Sequence, residues 1–168
     1  MRVLIENDSL QLVYTQMQDI PFVMQAEAEP ENAQFVGKWS QEEHVSSLDN
    51  PDVIHLVFKD TAGQNVGYGI ICGLENPNDR IELMRLVVTE KGHGYGKTVL
   101  SLIKKWCFEV QRAHRLWLDV RVENFRAQHV YEAQGFTREG LIRDYVKRDG
   151  GYKSVYIMSI LSDEYFGK

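Results

Sequence analysis

A glycine-rich stretch, Lys91-Gly92-His93-Gly94-Tyr95-Gly96-Lys97-Thr98, is the part of the sequence best suited to chemistry. It lies between a predicted strand and the most clearly amphipathic predicted helix. Glycine allows the positive φ angles that turn consecutive N–H groups to one side, and a helix N-terminus favours negative charge. Residues 91–105 contain four lysines and no acidic residue, although the chain has a formal net charge of −5. The stretch therefore predicts a binding site for an anion such as a phosphate.

Two phosphate-binding templates fit this stretch incompletely. The dinucleotide fingerprint GxGxxG fails because the third glycine falls at position 96, one residue early. The P-loop GxxxxGK(S/T) ends correctly at Gly96-Lys97-Thr98, but its first glycine should stand at position 91, where the sequence has lysine. A P-loop-like nucleotide enzyme remains one hypothesis, which thermal stabilisation of the protein by ATP would support.

The stretch resembles the pyrophosphate loop (Q/R)xxGx(G/A) of the GNAT superfamily of acetyl-CoA-dependent N-acetyltransferases. Here the loop reads Lys91-Gly92-His93-Gly94-Tyr95-Gly96, with lysine at the first position. A second GNAT signature, NxxAxxxYxxxGF, is matched downstream without a gap by Asn124, Ala127, Tyr131, Gly135 and Phe136. The end of the chain is similar to a bacterial branch that includes ribosomal-protein N-terminal and polyamine acetyltransferases.

The resemblance implies that acetyl-CoA is the cosubstrate and that no metal is needed. Backbone amides of the glycine loop would hold the diphosphate, and the preceding strand would bind the pantetheine arm through its backbone. The second signature would contact the cofactor from the following helix. The cofactor-binding residues implied in this way are Val87, Val88, His93, Gly94, Tyr95, Gly96, Lys97, Thr98, Asn124 and Tyr131.

The resemblance also implies direct attack of a primary amine on the thioester in a ternary complex. Tyr131 occupies the position of the acid that protonates the departing thiolate, and a phenol with a pKa near 10 remains protonated for that purpose. Glu82 lies near the start of the strand that leads to the loop, where many members of the superfamily carry a basic glutamate. A partly desolvated carboxylate has a raised pKa, which suits proton acceptance near neutrality.

The acceptor stays open between a small-molecule amine and a protein N-terminus, because the acidic chain is compatible with both. The composition and charge give no reason to expect nucleic acid or a membrane as a partner. We expect a cytoplasmic protein, because no signal peptide or long apolar run is present and the two cysteines have no metal-site spacing. The resemblance is compatible with a homodimer formed at an edge strand near 152–160. A non-catalytic acyl-CoA sensor or interaction module is the alternative function.

The elements that must position these residues are predicted from hydrophobic periodicity. Residues 97–111 carry an apolar stripe at helical spacing, and further helices are expected after Asp19, after Ser40 and from Phe125 to Ala133. Apolar alternation slips within 81–89, as a β-bulge would produce, although a fully buried strand looks similar. Strands are predicted at 10–14, 53–59, 66–72, 81–89, 116–120, 143–148 and 152–160. Together they predict one domain, 1–168, of the α/β (α+β) class: a mixed, mostly antiparallel sheet of six to seven strands flanked by about four helices, as in GNAT proteins.

Overall fold

Eight strands form one sheet in the computed structural model, which describes all 168 residues. The strands are β1 (Val3–Glu6), β2 (Gln11–Tyr14), β3 (Val53–Lys59), β4 (Asn65–Cys72), β5 (Arg80–Val88), β6 (Arg115–Arg121), β7 (Thr137–Arg148) and β8 (Gly151–Leu161). Their order across the sheet is β1-β2-β3-β4-β5-β6-β8-β7, and every neighbouring pair is antiparallel except β5 and β6. The predicted mixed, mostly antiparallel sheet is confirmed.

The helices cover both faces of this sheet. They are α1 (Ile20–Ala28), α2 (Pro30–Ala33), α3 (Gln41–Ser47), α4 (Tyr95–Lys105), α5 (Phe125–Ala133) and α6 (Ser162–Phe166). A 3-10 turn precedes α1, and a π-helical turn over Trp106–Val110 follows α4. None of these helices has the length and apolarity that crossing a membrane requires.

Strands β5 and β6 separate soon after they meet. Their parallel pairing is limited to three residue pairs, the last of which joins Glu82 to Trp117. In the same strand β5, the pairing with β4 shifts at Met84, since Ile70 is opposite Arg85 while Ile71 is opposite Leu83. The predicted bulge is therefore present, and beyond it the two strands diverge and leave a V-shaped opening in the sheet.

The bulge also divides the side chains of β5 between two cores. Helices α4 and α5 pack on the first face of the sheet, in a cluster that includes Ile81 and Leu83. Helix α1 packs on the second face, in a smaller cluster that includes Val87 and, at its margin, Met84. A regular strand would keep residues 81, 83 and 87 on one face, so the extra residue is what moves Val87 to the other core.

Several elements differ from the sequence-based prediction. Strand β1 and the short helices α2 and α6 were not predicted, because each has only four or five residues and too little periodicity to detect. The main helix begins at Tyr95, two residues before the predicted start. The exposed edge is formed by β7, whereas β8, which contains residues 152–160, is paired on both sides. The prediction of an edge strand at 152–160 is therefore wrong.

Candidate active site

The glycine loop ends in a helix start whose backbone donors are free. Gly92 and Gly94 adopt left-handed conformations with φ of +82° and +72°, and Gly94 is the N-cap of α4. No atom of the protein accepts a hydrogen bond from the amides of residues 93–97. The amide of Thr98 instead donates to the Gly94 carbonyl at 3.2 Å, so it is not one of the free donors, and its contact with the diphosphate stays a prediction. Five consecutive donors from His93 to Lys97 remain for an anion.

The loop also leaves space in front of these donors. A methyl group built on Gly92, Gly94 or Gly96 would meet no atom within 4 Å. Gly96 has no positive φ, so its small size matters for access rather than for backbone conformation. This open cradle beside free amides fits the diphosphate of coenzyme A.

The backbone of β5 continues the row of free donors from the loop towards the sheet. The Thr89 amide donates to the Val66 carbonyl in β4 at 2.9 Å. Successive amides of a strand point to opposite edges of that strand. The Val87 amide therefore also points towards β4, whereas the Leu86 and Val88 amides point into the V-shaped opening. The Val88 backbone thus faces the opening and the Val87 backbone faces β4. Binding of a pantetheine arm by either residue stays a prediction.

Helix α5 forms the other wall of the opening. Its start is fixed by Asn124, whose side-chain oxygen accepts a hydrogen bond from the Ala127 amide at 3.2 Å. Seven residues later, Tyr131 packs beside Phe136 with 5.8 Å between ring centroids. The Tyr131 hydroxyl has no hydrogen-bond partner within the protein. Burial, and after it the charge of Asp119, raises the pKa of Tyr131 to about 12, so the phenol stays protonated at neutral pH.

Two carboxyl groups lie at the narrow end of the opening. Glu82 of β5 accepts a hydrogen bond from the Cys72 thiol at 3.4 Å, and Asp119 lies on the neighbouring strand β6. Burial raises the pKa of both carboxyl groups, and the charge of Asp119 raises the pKa of Glu82 further. A carboxylate with a raised pKa is well suited to accept a proton from an ammonium ion. Asp119 was not predicted as a site residue.

A short segment that we call the strap, residues 30–36, crosses the second face of the sheet above this opening. Asn32 of the strap accepts a hydrogen bond from the Lys91 ammonium at 3.0 Å. On the other side, the Arg148 guanidinium donates to the carbonyls of Ala33 and Val36. The strap is thereby attached on both sides of the opening, to Lys91 after β5 and to Arg148 at the end of β7. We call the space between strap and sheet, which begins at Glu82 and Asp119, the acceptor cleft.

A set of buried polar side chains supports one wall of the cleft. The Glu27 carboxylate accepts hydrogen bonds from Tyr68 and Arg85, both at 2.6 Å, and His44 Nε2 lies 3.0 Å from it. His44 Nδ1 lies 3.0 Å from His55 Nε2, and His55 Nδ1 lies 2.8 Å from the Thr15 hydroxyl. We call this set the Glu27 cluster; its members are Thr15, Glu27, His44, His55, Tyr68 and Arg85.

The Glu27 cluster reaches the cleft through Arg85. The Arg85 guanidinium stacks on the Trp39 ring, 4.5 Å from the ring centroid, and Trp39 and Met84 both lie at the margin of the second core. No sequence pattern indicates this set, because its members are spread between residues 15 and 85 and become neighbours only when α1 and α3 pack on the sheet. Within the structure, no group of three or more His, Cys, Asp or Glu side chains is arranged to hold a metal ion.

The comparisons with known proteins identify the family of this chain. Residues 17–136 match the model of the acetyltransferase (GNAT) family. Spermidine N(1)-acetyltransferase of Vibrio cholerae is 32% identical over 78 residues, which are 46% of this chain and 45% of that enzyme. A putative ribosomal protein bS18-alanine N-acetyltransferase of Bacillus subtilis is 28% identical over 137 residues, covering 80% of this chain and 85% of that one.

The solved structures show the same fold. Spermidine N-acetyltransferase from Vibrio cholerae, in complex with CoA and spermine, superposes with a TM-score of 0.85 at 21% sequence identity. The superposition covers 95% of this chain and 99% of that chain. The family model covers most of the sequence, including the glycine loop, the bulged strand and Tyr131. The chain therefore belongs to the GNAT family of acetyltransferases, as its glycine loop and NxxAxxxYxxxGF signature predict.

Proposed function

We propose that this protein transfers the acetyl group of acetyl-CoA to a primary amine by direct attack in a ternary complex. The observation that carries the proposal is a continuous path of unoccupied polar groups. The path begins at the five free amides of residues 93–97 and follows the Val88 and Leu86 backbone along the opening. The Tyr131 ring packs against the same core cluster as Leu86, and its hydroxyl has no partner.

In this proposal the residues of the chain first bind and orient the cofactor. The amides of His93 to Lys97 hold the diphosphate, with the positive end of α4 adding favourable charge. The Val88 backbone positions the pantetheine arm, which brings the thioester to the bulge at Met84. A strand amide directed into the opening there stabilises the oxyanion that develops on the thioester carbonyl. Loss of one donor of this kind typically lowers the rate by about 10²–10³.

The acceptor enters from the second face of the sheet as an ammonium ion. Glu82 and Asp119 attract this cation and take one proton, directly or through water, because burial has raised the pKa of both carboxyl groups. The free amine then attacks the thioester carbonyl, and the tetrahedral intermediate expels the thiolate as its nitrogen loses a second proton, which passes through water to restore the Tyr131 hydroxyl. Tyr131 gives its proton to the sulfur, since a hydroxyl with a pKa of about 12 is still protonated when the thiolate departs.

The acceptor is a primary amine of one of two kinds named for the relatives, a polyamine or the N-terminus of a protein. A CoA-thiol release assay with a panel of both kinds tests the proposal. We expect thiol release above the hydrolysis background with at least one amine. Binding of acetyl-CoA without thiol release for any amine would support the non-catalytic acyl-CoA sensor instead.

A homodimer remains a proposal, with β7 as the interface. This edge strand is exposed along most of its length, and it carries the exposed apolar side chains Leu141, Ile142 and Tyr145. An uncovered apolar edge favours pairing with a second copy of the chain. Sedimentation of the wild type and of a Leu141→Lys variant tests the idea, and equal, monomeric masses for both would contradict it.

A further inference from the structure

Arg121, the last residue of β6, is a buried cation whose hydrogen bonding is incomplete. The residue is 5% exposed, and its Nη1 atom is buried without any hydrogen-bond partner. The nearest carboxylate oxygen, on Glu123, is 3.9 Å away, which is too far for a hydrogen bond. A buried charged donor without an acceptor is costly, so such a group in a native protein calls for an explanation.

The position of Arg121 places it in the acceptor cleft. It lies two residues beyond Asp119 on β6, and alternation along a strand puts both side chains on the second face of the sheet. Arg121 is opposite Val155 of β8, and Asp119 is opposite Ile157. The strap is fixed above this face by Arg148, whose charge lies close enough to lower the pKa of Arg121 in addition to the effect of burial.

The acceptor cleft therefore has an acidic end, formed by Glu82 and Asp119, and beyond it an unpartnered donor on Arg121. Arg148 also lies near Arg121, but so do the carboxylates of Glu123 and Asp149, so this end of the cleft carries no excess of positive charge. Asp119 and Arg121 are two residues apart on β6, which is about 7 Å along the strand. An extended peptide of two residues spans about the same distance.

A polyamine satisfies only one part of this site. One of its ammonium groups suits the acidic end, but none of its groups accepts a hydrogen bond from the unpartnered Arg121 donor. An acceptor that carries an oxygen close to its amine matches both parts, because the oxygen gives Arg121 the acceptor that it lacks.

We propose that Arg121 binds a carbonyl or carboxylate oxygen of the acceptor, so that the acceptor is an α-amine with such an oxygen within its first two residues. This chemistry occurs in a peptide N-terminus and in a free amino acid, and it is absent from polyamines. The inference rests on the proposed function, since it assigns the acceptor class of the same site.

The test compares kcat/KM for three acceptors: an alanine-initiated tetrapeptide with an amidated C-terminus, free L-alanine, and spermidine. The wild type is expected to prefer one of the two α-amines, and the preferred one identifies the source of the oxygen. Arg121→Ala should lower kcat/KM for that acceptor by about 10- to 100-fold, the range expected for a hydrogen bond to a charged group, mainly through KM. Its spermidine activity should be unchanged or higher, and its affinity for acetyl-CoA unchanged.

Lys153→Ala is the matched control, since it removes an exposed positive charge from the neighbouring strand β8. It should leave all three values within about 2-fold of the wild type. If Arg121→Ala fails to fold, Arg121→Lys should show the same selective loss, because it keeps the charge but not the planar set of donors. Preference of the wild type for spermidine, or an equal loss for all acceptors, would overturn the inference while leaving acetyl transfer intact. Absence of turnover with every amine would instead contradict the proposed function.

Discussion

The molecule contains two groups of buried charges that differ in how far they are satisfied. In the Glu27 cluster, the carboxylate is 3% exposed and binds Tyr68 and Arg85 at 2.6 Å each. In the acceptor cleft, Asp119 and the Tyr131 hydroxyl have no hydrogen-bond partner, and Arg121 has a buried orphan nitrogen. The Glu27 carboxylate thus has its hydrogen bonds within the protein, although His44 Nε2, 3.0 Å from it, makes none, whereas the three groups of the cleft have no hydrogen-bond partner at these atoms.

This difference suggests that the Glu27 cluster has a structural role and that the acceptor cleft has a catalytic role. A buried ion pair with all its partners fixes the positions of the elements that carry it, here α1, α3 and strands β3 to β5. Unpartnered groups at the edge of a sheet opening keep their hydrogen-bonding capacity for substrate. The comparison predicts that substitutions in the Glu27 cluster change stability, and that substitutions in the cleft change catalysis.

The largest expected effect follows from replacing matched carboxylates with amides. Glu27→Gln leaves the buried Arg85 guanidinium without its counter-ion and should lower the free energy of unfolding by about 3–5 kcal/mol. Asp119→Asn, the matched change in the cleft, should alter it by less than about 1 kcal/mol, because Asp119 has no such partner to lose. Urea denaturation of the three proteins measures both values. Equal losses for the two variants would remove the distinction between the two groups.

The next effect is catalytic. Tyr131→Phe should lower kcat by roughly 10²-fold or more, because the thiolate then leaves without an acid. The dissociation constant of CoA and the denaturation midpoint should stay close to those of the wild type, since the hydroxyl has no partner within the protein. CoA-thiol release and CoA titration measure these quantities. An unchanged kcat would exclude Tyr131 as the acid.

A pH effect on stability should arise in the Glu27 cluster. Burial, followed by the charge of His44, lowers the pKa of His55 to about 3, so the folded protein keeps this ring neutral. The unfolded chain binds a proton near pH 6.5, and stability is therefore present above that pH and is lost as the pH falls towards 3. The loss amounts to at most about 1.4 kcal/mol per pH unit. Denaturation midpoints between pH 7 and pH 5 should show this slope in the wild type and a smaller slope in His55→Gln, and equal slopes would contradict the assignment.

The smallest effect distinguishes two glycines of the loop. Gly96→Ala should stabilise the free protein by up to about 1 kcal/mol, because the position is helical and a Cβ there meets no atom. The same methyl group should weaken CoA binding by occupying the space in front of the free amides. Gly94→Ala, at a φ of +72°, should destabilise the protein by about 1 kcal/mol. Calorimetric CoA titrations and melting curves test the pair, and tighter CoA binding by Gly96→Ala would contradict the position of the diphosphate.

The sequence predicts those parts of the site that depend on local chain geometry. The glycine loop, the Asn124 cap, the Tyr131 helix and the bulge in β5 each have a signature within about ten residues. Asp119 was missed because Leu116, Leu118 and Val120 predict a strand whose alternate side chains face solvent. Only the divergence of β5 from β6, a tertiary feature, turns that face into a cleft. His44 and His55 have no joint signature in the sequence for the same reason, since packing of α3 on the sheet brings them together.

The central claim is that free amides of the glycine loop and the adjoining sheet opening hold acetyl-CoA beside Tyr131. The most direct measurement is a crystal structure of the protein in complex with CoA. The account predicts the diphosphate within hydrogen-bond distance of the amides of residues 93–97, the pantetheine between β5 and β6, and the thiol next to the Tyr131 hydroxyl. A diphosphate bound elsewhere, or a thiol on the far side of the sheet from Tyr131, would contradict it.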